Sequence, residues 1–283
     1  MKVLALANYK GGVGKSAIAT NLSAAVAREG KIVVHLDFDF QGNSTEALGA
    51  DRLGPGLSDF LQQRAELGHL IQPHPKGAMK GLGLPDLFIL PPGPDLEIFQ
   101  ATQGLPLGVD GYNPSESLIE AIQRLNDGLA TLNSAAQAQG KPITLVVLDT
   151  RPDFGWNTAL ALGVAHSVLV PLEAHESSVS GLEGLLSYVE RIKSTVNPEL
   201  DFLGAFINKW YKIDKSQVEV IKALRSQLKA KLFSTVVGLS THISQGYATR
   251  TPAVHAYPDS GGAKYIRDLA KTVSSHLDLE GEP

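Results

Sequence analysis

The chain has 283 residues, with 43% hydrophobic and 19% charged side chains and a formal net charge of −4. That balance describes a folded globular protein of one or two domains, large enough to bury a core without covalent staples. The absence of cysteine excludes disulfides, zinc–thiolate sites, a cysteine nucleophile and thiolate-held iron–sulfur clusters, and the negative balance means that any nucleic-acid contact must come from a local basic surface.

Strand and helix signals alternate from the start. Val3 to Ala7 is a short apolar run that ends at Asn8 and leads into glycines. Its length and the glycine-rich sequel do not fit a secretory leader. Ile18, Leu22, Ala25 and Val26 recur at helical spacing, and Gly30 stops that helix. Ile32 to Leu36 reads as the next strand. Strand, glycine loop, helix and strand make a βαβ unit, which requires a parallel sheet.

Residues 51–115 have a different character, with nine of the 16 prolines and many glycines. One helix is expected around Leu57–Leu67 and one strand at Leu87–Leu90, with loop for the remainder. The apolar residues are too scattered for a separate core, so the stretch reads as a loop-rich insertion.

Regular alternation then returns. Leu118, Ile122, Leu125, Leu129 and Leu132 mark a long helix. Ile143 to Leu148 is a continuous apolar run, as in a buried parallel strand. Val168–Val170 predicts a strand, Val179 to Ile192 a helix, Phe202–Ile207 a strand, Val218–Leu232 a helix and Phe233–Val237 a strand. A last helix covers about Ala263–Leu277. The expected fold is α/β: a single domain over 1–283, with a mostly parallel twisted sheet flanked by helices on both faces. No apolar run approaches the ~18–20 residues that cross a bilayer, and a cytoplasmic location is expected.

The sharpest motif is Lys10-Gly11-Gly12-Val13-Gly14-Lys15-Ser16, set between a predicted strand and a predicted helix. Glycines at 11, 12 and 14 let backbone N–H groups converge on phosphate oxygens, and the helix N-terminus adds partial positive charge. Lys15 would contact the β/γ-phosphates and the Ser16 hydroxyl would ligand Mg²⁺. A glycine turn with two solvated lysines explains the spacing less well. The first glycine of the general P-loop pattern is missing.

KGGVGKS with its extra lysine at Lys10 resembles the deviant Walker A motif of the ParA/MinD ATPases. The resemblance implies an ATP-sandwich homodimer in which Lys10 reaches the partner's nucleotide, with Gly11, Gly12, Val13, Gly14, Lys15, Ser16 and Ala17 around the phosphates. The family usually carries a second hydroxyl where this chain has Ala17.

The second strand ends Asp37-Phe38-Asp39-Phe40-Gln41-Gly42-Asn43. Strand alternation places Asp37 and Asp39 on one side, at the edge where open α/β sheets bind ligands. The stretch is similar to the DxDxQGN segment of the ParA branch, which implies that Asp39 positions or activates water and Asp37 supports the Mg²⁺ shell. A helix cap or an ion pair is the plainer use of two such carboxylates. Asp149, closing an apolar strand, has the Walker B pattern of a Mg²⁺-holding carboxylate. It is followed by Thr150-Arg151-Pro152 where relatives usually have two prolines. Asn208 falls where relatives contact adenine.

Between Ala205 and Lys231 the chain has a local net charge of +5. On a helix, Lys215, Lys222, Arg225 and Lys229 fall within an arc of about 80°. Such a stripe suits non-specific phosphate-backbone contacts, and an ordinary solvated face is the alternative reading. The ParA resemblance favours DNA. It implies a plasmid- or chromosome-partitioning ATPase whose ATP-bound dimer joins the nucleoid and is released by a ParB-type centromere-binding protein. With little chain ahead of the loop, the resemblance is to the shorter ParA type, without an operator-binding module. The alternatives are a MinD-like membrane-cycling regulator, disfavoured by the acidic tail, and a nucleotide-gated interaction protein with negligible turnover. The eight histidines show no metal spacing, no G-x-S-x-G elbow occurs, and Trp156 and Trp210 read as packing or interface residues.

Overall fold

Successive residues of a strand point to opposite faces of a sheet, so the central apolar runs of this chain supply two cores at once. A computed structural model describes residues 1–75, 84–107, 113–211 and 215–279. Its elements in chain order are β1 (Lys2–Leu6), α1 (Lys15–Ala27), β2 (Ile32–Asp37), α2 (Asn43–Ala47), α3 (Leu57–Leu61), α4 (Leu67–Leu70), β3 (Gln72–Pro73) and β4 (Leu87–Leu90). Then come α5 (Leu96–Thr102), α6 (Glu116–Ala138), β5 (Ile143–Asp149), α7 (Trp156–Val164), β6 (Ser167–Leu172), α8 (Glu176–Thr195) and β7 (Asp201–Trp210). The chain continues with α9 (Lys215–Leu228), a 3₁₀ turn at Lys229–Lys231, β8 (Leu232–Gly238), α10 (Thr241–Thr249), α11 (Ala253–Ala256) and α12 (Gly261–His276).

The strands form one eight-stranded sheet in the order β3-β4-β2-β5-β1-β6-β7-β8. Every pairing is parallel except that of the two-residue β3 with β4. Val3, Ala5, Val34, Leu36, Val146, Leu148, Val168 and Val170 face one core, with α6, α7 and α8 against them. Leu4, Leu6, Val33, Leu145, Val147 and Leu169 face the other, covered by α1 and α12. The single α/β domain with helices on both faces is as the sequence predicts.

The topology places the site. From β1 the chain moves across β5 to β2, whereas after β5 it moves to β6, on the other side of β1. The connections part around β1, and open α/β sheets leave their ligand crevice at such a point, beyond the carboxyl ends of the strands. Helix α1 starts in that crevice. At 13 residues it is short for independent stability in water, and burial along nearly its whole length holds it.

Three boundaries differ from expectation. The helix expected at Leu57–Leu67 is two short helices, α3 and α4, because Gln63 takes a left-handed φ of 60°. The helix expected to reach Leu232 stops at Leu228, and Lys229 has a φ of 50°. Residues 51–115 do more than loop over the surface: β4 lies within the sheet beside β2, and Leu57, Phe60, Leu67, Leu90 and Leu96 enter the common core. Residues 76–83 and 108–112 of that stretch are outside the described ones.

Candidate functional site

Helix α1 begins without the usual side-chain cap. Its N-cap is Gly14, at a left-handed φ of 91°, no side chain bonds the first-turn amides, and that turn holds no acidic residue. The first amides of a helix lack intrahelical partners. Leaving them bare at the crevice makes an anion site, which the helix dipole reinforces. Gly12, at φ 79°, supplies the second left-handed turn of the loop. Gly11 and Gly12 are exposed, Gly14, Ser16 and Ala17 half-buried, and Val13 and Lys15 buried.

Lys15 emerges inside the loop it follows, with Nζ 3.4 Å from the Lys10 carbonyl oxygen. Burial holds its pKa below the ordinary lysine value, against the pull of the carboxylates of Asp149, Asp39 and Asp153. A lysine short of solvent and held by a carbonyl oxygen is prepared for an anionic ligand to complete its surroundings.

The carboxylates gather on the β2–β5 side of the loop. Asp37 and Asp149 stand opposite one another in register at the ends of their strands. Asp37 is fully engaged: Oδ1 accepts from the Asp39 amide at 3.0 Å, and Oδ2 accepts from the Thr45 amide at 3.0 Å and its hydroxyl at 2.7 Å. Neither oxygen of buried Asp149 has a hydrogen-bond partner. Burial, then the neighbouring Asp37 charge, push the Asp149 carboxyl well above the usual carboxylate range; the Ser16 and Ser44 hydroxyls and Lys15 oppose this. Burial likewise raises Asp37. Asp39, also buried, accepts from the Gln41 amide at 3.1 Å.

An orphaned carboxylate beside a serine hydroxyl suits Mg²⁺, which takes one or two protein oxygens and completes its shell with water and phosphate oxygens. Among the described residues no group of three or more His, Asp or Glu could hold a metal unaided. The donor set fits a cation that enters with a phosphate ligand.

The β6–β7 side is built from amide and ammonium groups. Asn208 Nδ2 donates to the Val13 carbonyl oxygen at 2.7 Å. Lys209 donates to the Gly12 carbonyl oxygen and pairs with Glu173 Oε1 at 3.1 Å. Lys10 Nζ donates to Ser177 Oγ at 3.0 Å and lies 3.8 Å from Glu173 Oε2. A cleft of about 210 Å³ opens beside the loop, lined by Glu173, His175, Asn208, Lys209, Trp210 and Leu239 among others.

The structure thus brings Lys10, the 11–17 loop, Asp37, Asp39, Asp149 and Asn208 to one crevice. The basic stripe lies apart and is thinner than the sequence implies. Lys222 pairs with Glu219 at 2.8 Å, Arg225 Nη1 donates to the Leu232 carbonyl oxygen at 2.9 Å, and Lys229 lies beyond the end of α9. Lys215 opens α9, and its side chain lies outside the described ones. Arg151, at the family's proline position, pairs with Asp153 at 2.8 Å and covers the Phe40 ring.

Sequence reasoning missed the roles of Ser44, Thr45, Glu173, Ser177 and Lys209. Ser44 and Thr45 had a signal: two adjacent hydroxyls just past the Gly42-Asn43 pair that follows the paired aspartates. Glu173 and Lys209 meet only because β6 and β7 are neighbours in the sheet.

A family model described as the CobQ/CobB/MinD/ParA nucleotide binding domain matches residues 4–253. The chain is 32% identical over 280 residues to the chromosome-partitioning ATPase Soj of Thermus thermophilus, covering 97% of this chain and 96% of that one. It is 27% identical over 286 residues to the chromosome partitioning protein ParA of Caulobacter vibrioides, covering 100% and 97%. Among solved structures, cobyrinic acid a,c-diamide synthase from Mycobacterium smegmatis, crystallised with ADP and magnesium, shares the fold with a TM-score of 0.74 at 22% identity, covering 98% of this chain and 96% of that one. No helix among the described residues is long and apolar enough to cross a membrane.

Proposed function

The chain belongs to the CobQ/CobB/MinD/ParA nucleotide-binding domain family, and from that premise we propose that it is a Mg²⁺-dependent ATPase of the ParA type that partitions plasmid or chromosomal DNA. The observation that carries the reading is the bare N-terminus of α1, with the buried Lys15 on its first turn and an Asp149 carboxylate that has no partner. That arrangement supplies amides and an ammonium group for phosphate oxygens and a carboxylate for a cation.

The loop amides from Gly11 to Ala17 bind the phosphates, and Lys15 takes the β/γ oxygens. Ser16 and Asp149 would hold Mg²⁺, with Asp37 behind them orienting Thr45 and the Asp39 amide. When bound, the cation neutralises charge on the phosphate oxygens. Asp39 orients the attacking water and accepts its proton. Asn208 reads the base from the β7 side. Lys10 rests within its own chain on Ser177 and Glu173; in the ATP-bound homodimer it leaves them and stabilises charge on the partner's nucleotide, as a cation delivered in trans does. The dimer binds DNA without sequence preference through the basic residues of α9 and of the turn that follows it, Lys222 and Lys229 among them. It acts in the cytoplasm on the nucleoid, and a ParB-type partner stimulates hydrolysis and release.

The test is DNA retention with ATP, with ADP and without nucleotide, repeated across salt. ATP-dependent, salt-sensitive retention without sequence preference is expected. Retention that ignores the nucleotide overturns the DNA-binding part. Lys10→Ala should lose ATP-driven dimerisation by light scattering, and a dimer that forms as before removes Lys10 from the interface.

A further inference from the structure

Asn208 and Lys209 are consecutive, and they hold consecutive carbonyl groups of the phosphate loop. Asn208 takes that of Val13 and Lys209 that of Gly12. In a trans peptide the C=O and the following N–H point in opposite directions. Drawing the Gly12 and Val13 carbonyls toward β7 therefore turns the Val13 and Gly14 amides the other way. β7 and β5 lie on opposite sides of β1 in the sheet. The amides are thus directed toward the side where Asp149, Asp37 and Asp39 collect.

Lys209 is specifically built for this reach. Its φ of 54° is left-handed, a conformation that disfavours residues with a Cβ, and it sits at the carboxyl end of β7. Its ammonium is tied at the far end to Glu173 at 3.1 Å, on the segment after the neighbouring strand β6. Its stem passes Gly14, where an added Cβ would stand 3.8 Å from Lys209 Cε and 2.6 Å from Asn208 Nδ2. Glu173 pairs with Lys209 and also lies 3.8 Å from Lys10 Nζ, so it fixes the place of the Lys209 ammonium without cancelling both charges.

We propose that Lys209, anchored by Glu173 and acting beside Asn208, is a positioning residue that fixes the amides of the phosphate loop in their anion-binding orientation before the nucleotide arrives. The inference rests on the nucleotide reading of the loop and adds to it a device outside the motif itself.

The experiment measures ATP and ADP affinity by calorimetry for wild type, Lys209→Met, Lys209→Arg and Glu173→Gln. Hydrogen exchange of the loop amides is followed in the nucleotide-free proteins. Lys209→Met should weaken both nucleotides by about tenfold, the worth of one charge-assisted hydrogen bond, and should speed loop-amide exchange. Glu173→Gln should shift both in the same direction by less. Lys209→Arg, which keeps a donor and controls for a folding defect, should recover most of the affinity. Unchanged affinity in Lys209→Met overturns the inference, and so does lost affinity with loop exchange as in wild type, which would place the ammonium on the nucleotide itself. A wild-type protein that binds neither nucleotide sinks the nucleotide reading as well, whereas one that binds both, with Lys209→Met indistinguishable, sinks only the positioning role.

Discussion

The two flanks of the phosphate loop are built on opposite terms. On the β2–β5 flank, Asp149 is buried with both carboxylate oxygens unbonded, and Lys15 is buried beside it. On the β6–β7 flank, Asn208 is buried too, yet its amide is bonded to Val13, and Glu173 is shared by Lys10 and Lys209. A buried polar group left without a partner costs about 1–3 kcal/mol, and more when charged. The first flank therefore carries an expense that a ligand relieves, whereas the groups of the second are already bonded within the protein. An unsatisfied flank marks where chemistry is to be finished from outside; a satisfied one marks where geometry is already set.

The largest expected effect breaks the first flank at the residue proposed to orient the attacking water. Asp39→Ala should lower ATP hydrolysis by about 100-fold or more, the usual worth of a positioned base, and leave ATP affinity within about threefold of wild type. Normal turnover in steady-state assays would show that the flank holds nucleotide without catalysing its cleavage.

Next, Gly14→Ala attacks the contact between the flanks. A Cβ there would stand 2.6 Å from Asn208 Nδ2, at a φ of 91°. The strain is about 1–3 kcal/mol, and nucleotide affinity should fall about tenfold or more in calorimetry. An unchanged affinity would mean that the Asn208 contact can yield freely.

A smaller effect reads the unsatisfied carboxylate directly. In EDTA and without nucleotide, the raised Asp149 and Asp37 keep their protons in the folded state at pH values where the unfolded chain has released them. The folded state then binds more protons, so stability falls as pH rises above about 4 and on toward the raised values. Asp149→Asn should flatten that slope in thermal melts between pH 5 and 8, and should lose the stabilisation that Mg²⁺–ATP gives wild type. A slope equal to that of wild type would show that Asp149 is not the titrating group.

The smallest effect lies outside both flanks. Lys222→Ala should leave ATP affinity unchanged and lower the slope of log DNA affinity against log salt by about 0.9. No change in the slope removes Lys222 from the proposed DNA surface.

Much of this could be read along the chain because the signals are local. The strands β1, β2, β5 and β7 announce themselves as apolar runs, and Lys10 to Ser16 form a contiguous motif. Helix α7 escaped notice because all nine of its residues are buried, which erases the polar–apolar period that betrays a surface helix. α2, α5, α10 and α11 are short or polar enough to pass for loop. The break between α3 and α4 at Gln63 has no glycine or proline to mark it. Within the site, Asp149 was visible as a strand end, but its lack of partners was not, since that depends on what β2, α1 and α2 bring near it.

By itself the sequence determined the α/β alternation of the main strands and the longer surface helices, the phosphate loop with its two lysines, and the carboxylates that close β2 and β5. Each of these follows from residues adjacent in the chain, where spacing and chemistry act without help from the rest. Only the tertiary structure decided which side of the loop each group would serve. Strand order places β2 and β5 on one side of β1 and β6 and β7 on the other, so residues as distant as Gly12 and Lys209 meet while Asp149 is left bare. Burial and hydrogen-bond satisfaction belong to the packed sheet, because they are set by neighbours that the chain reaches only after it has folded.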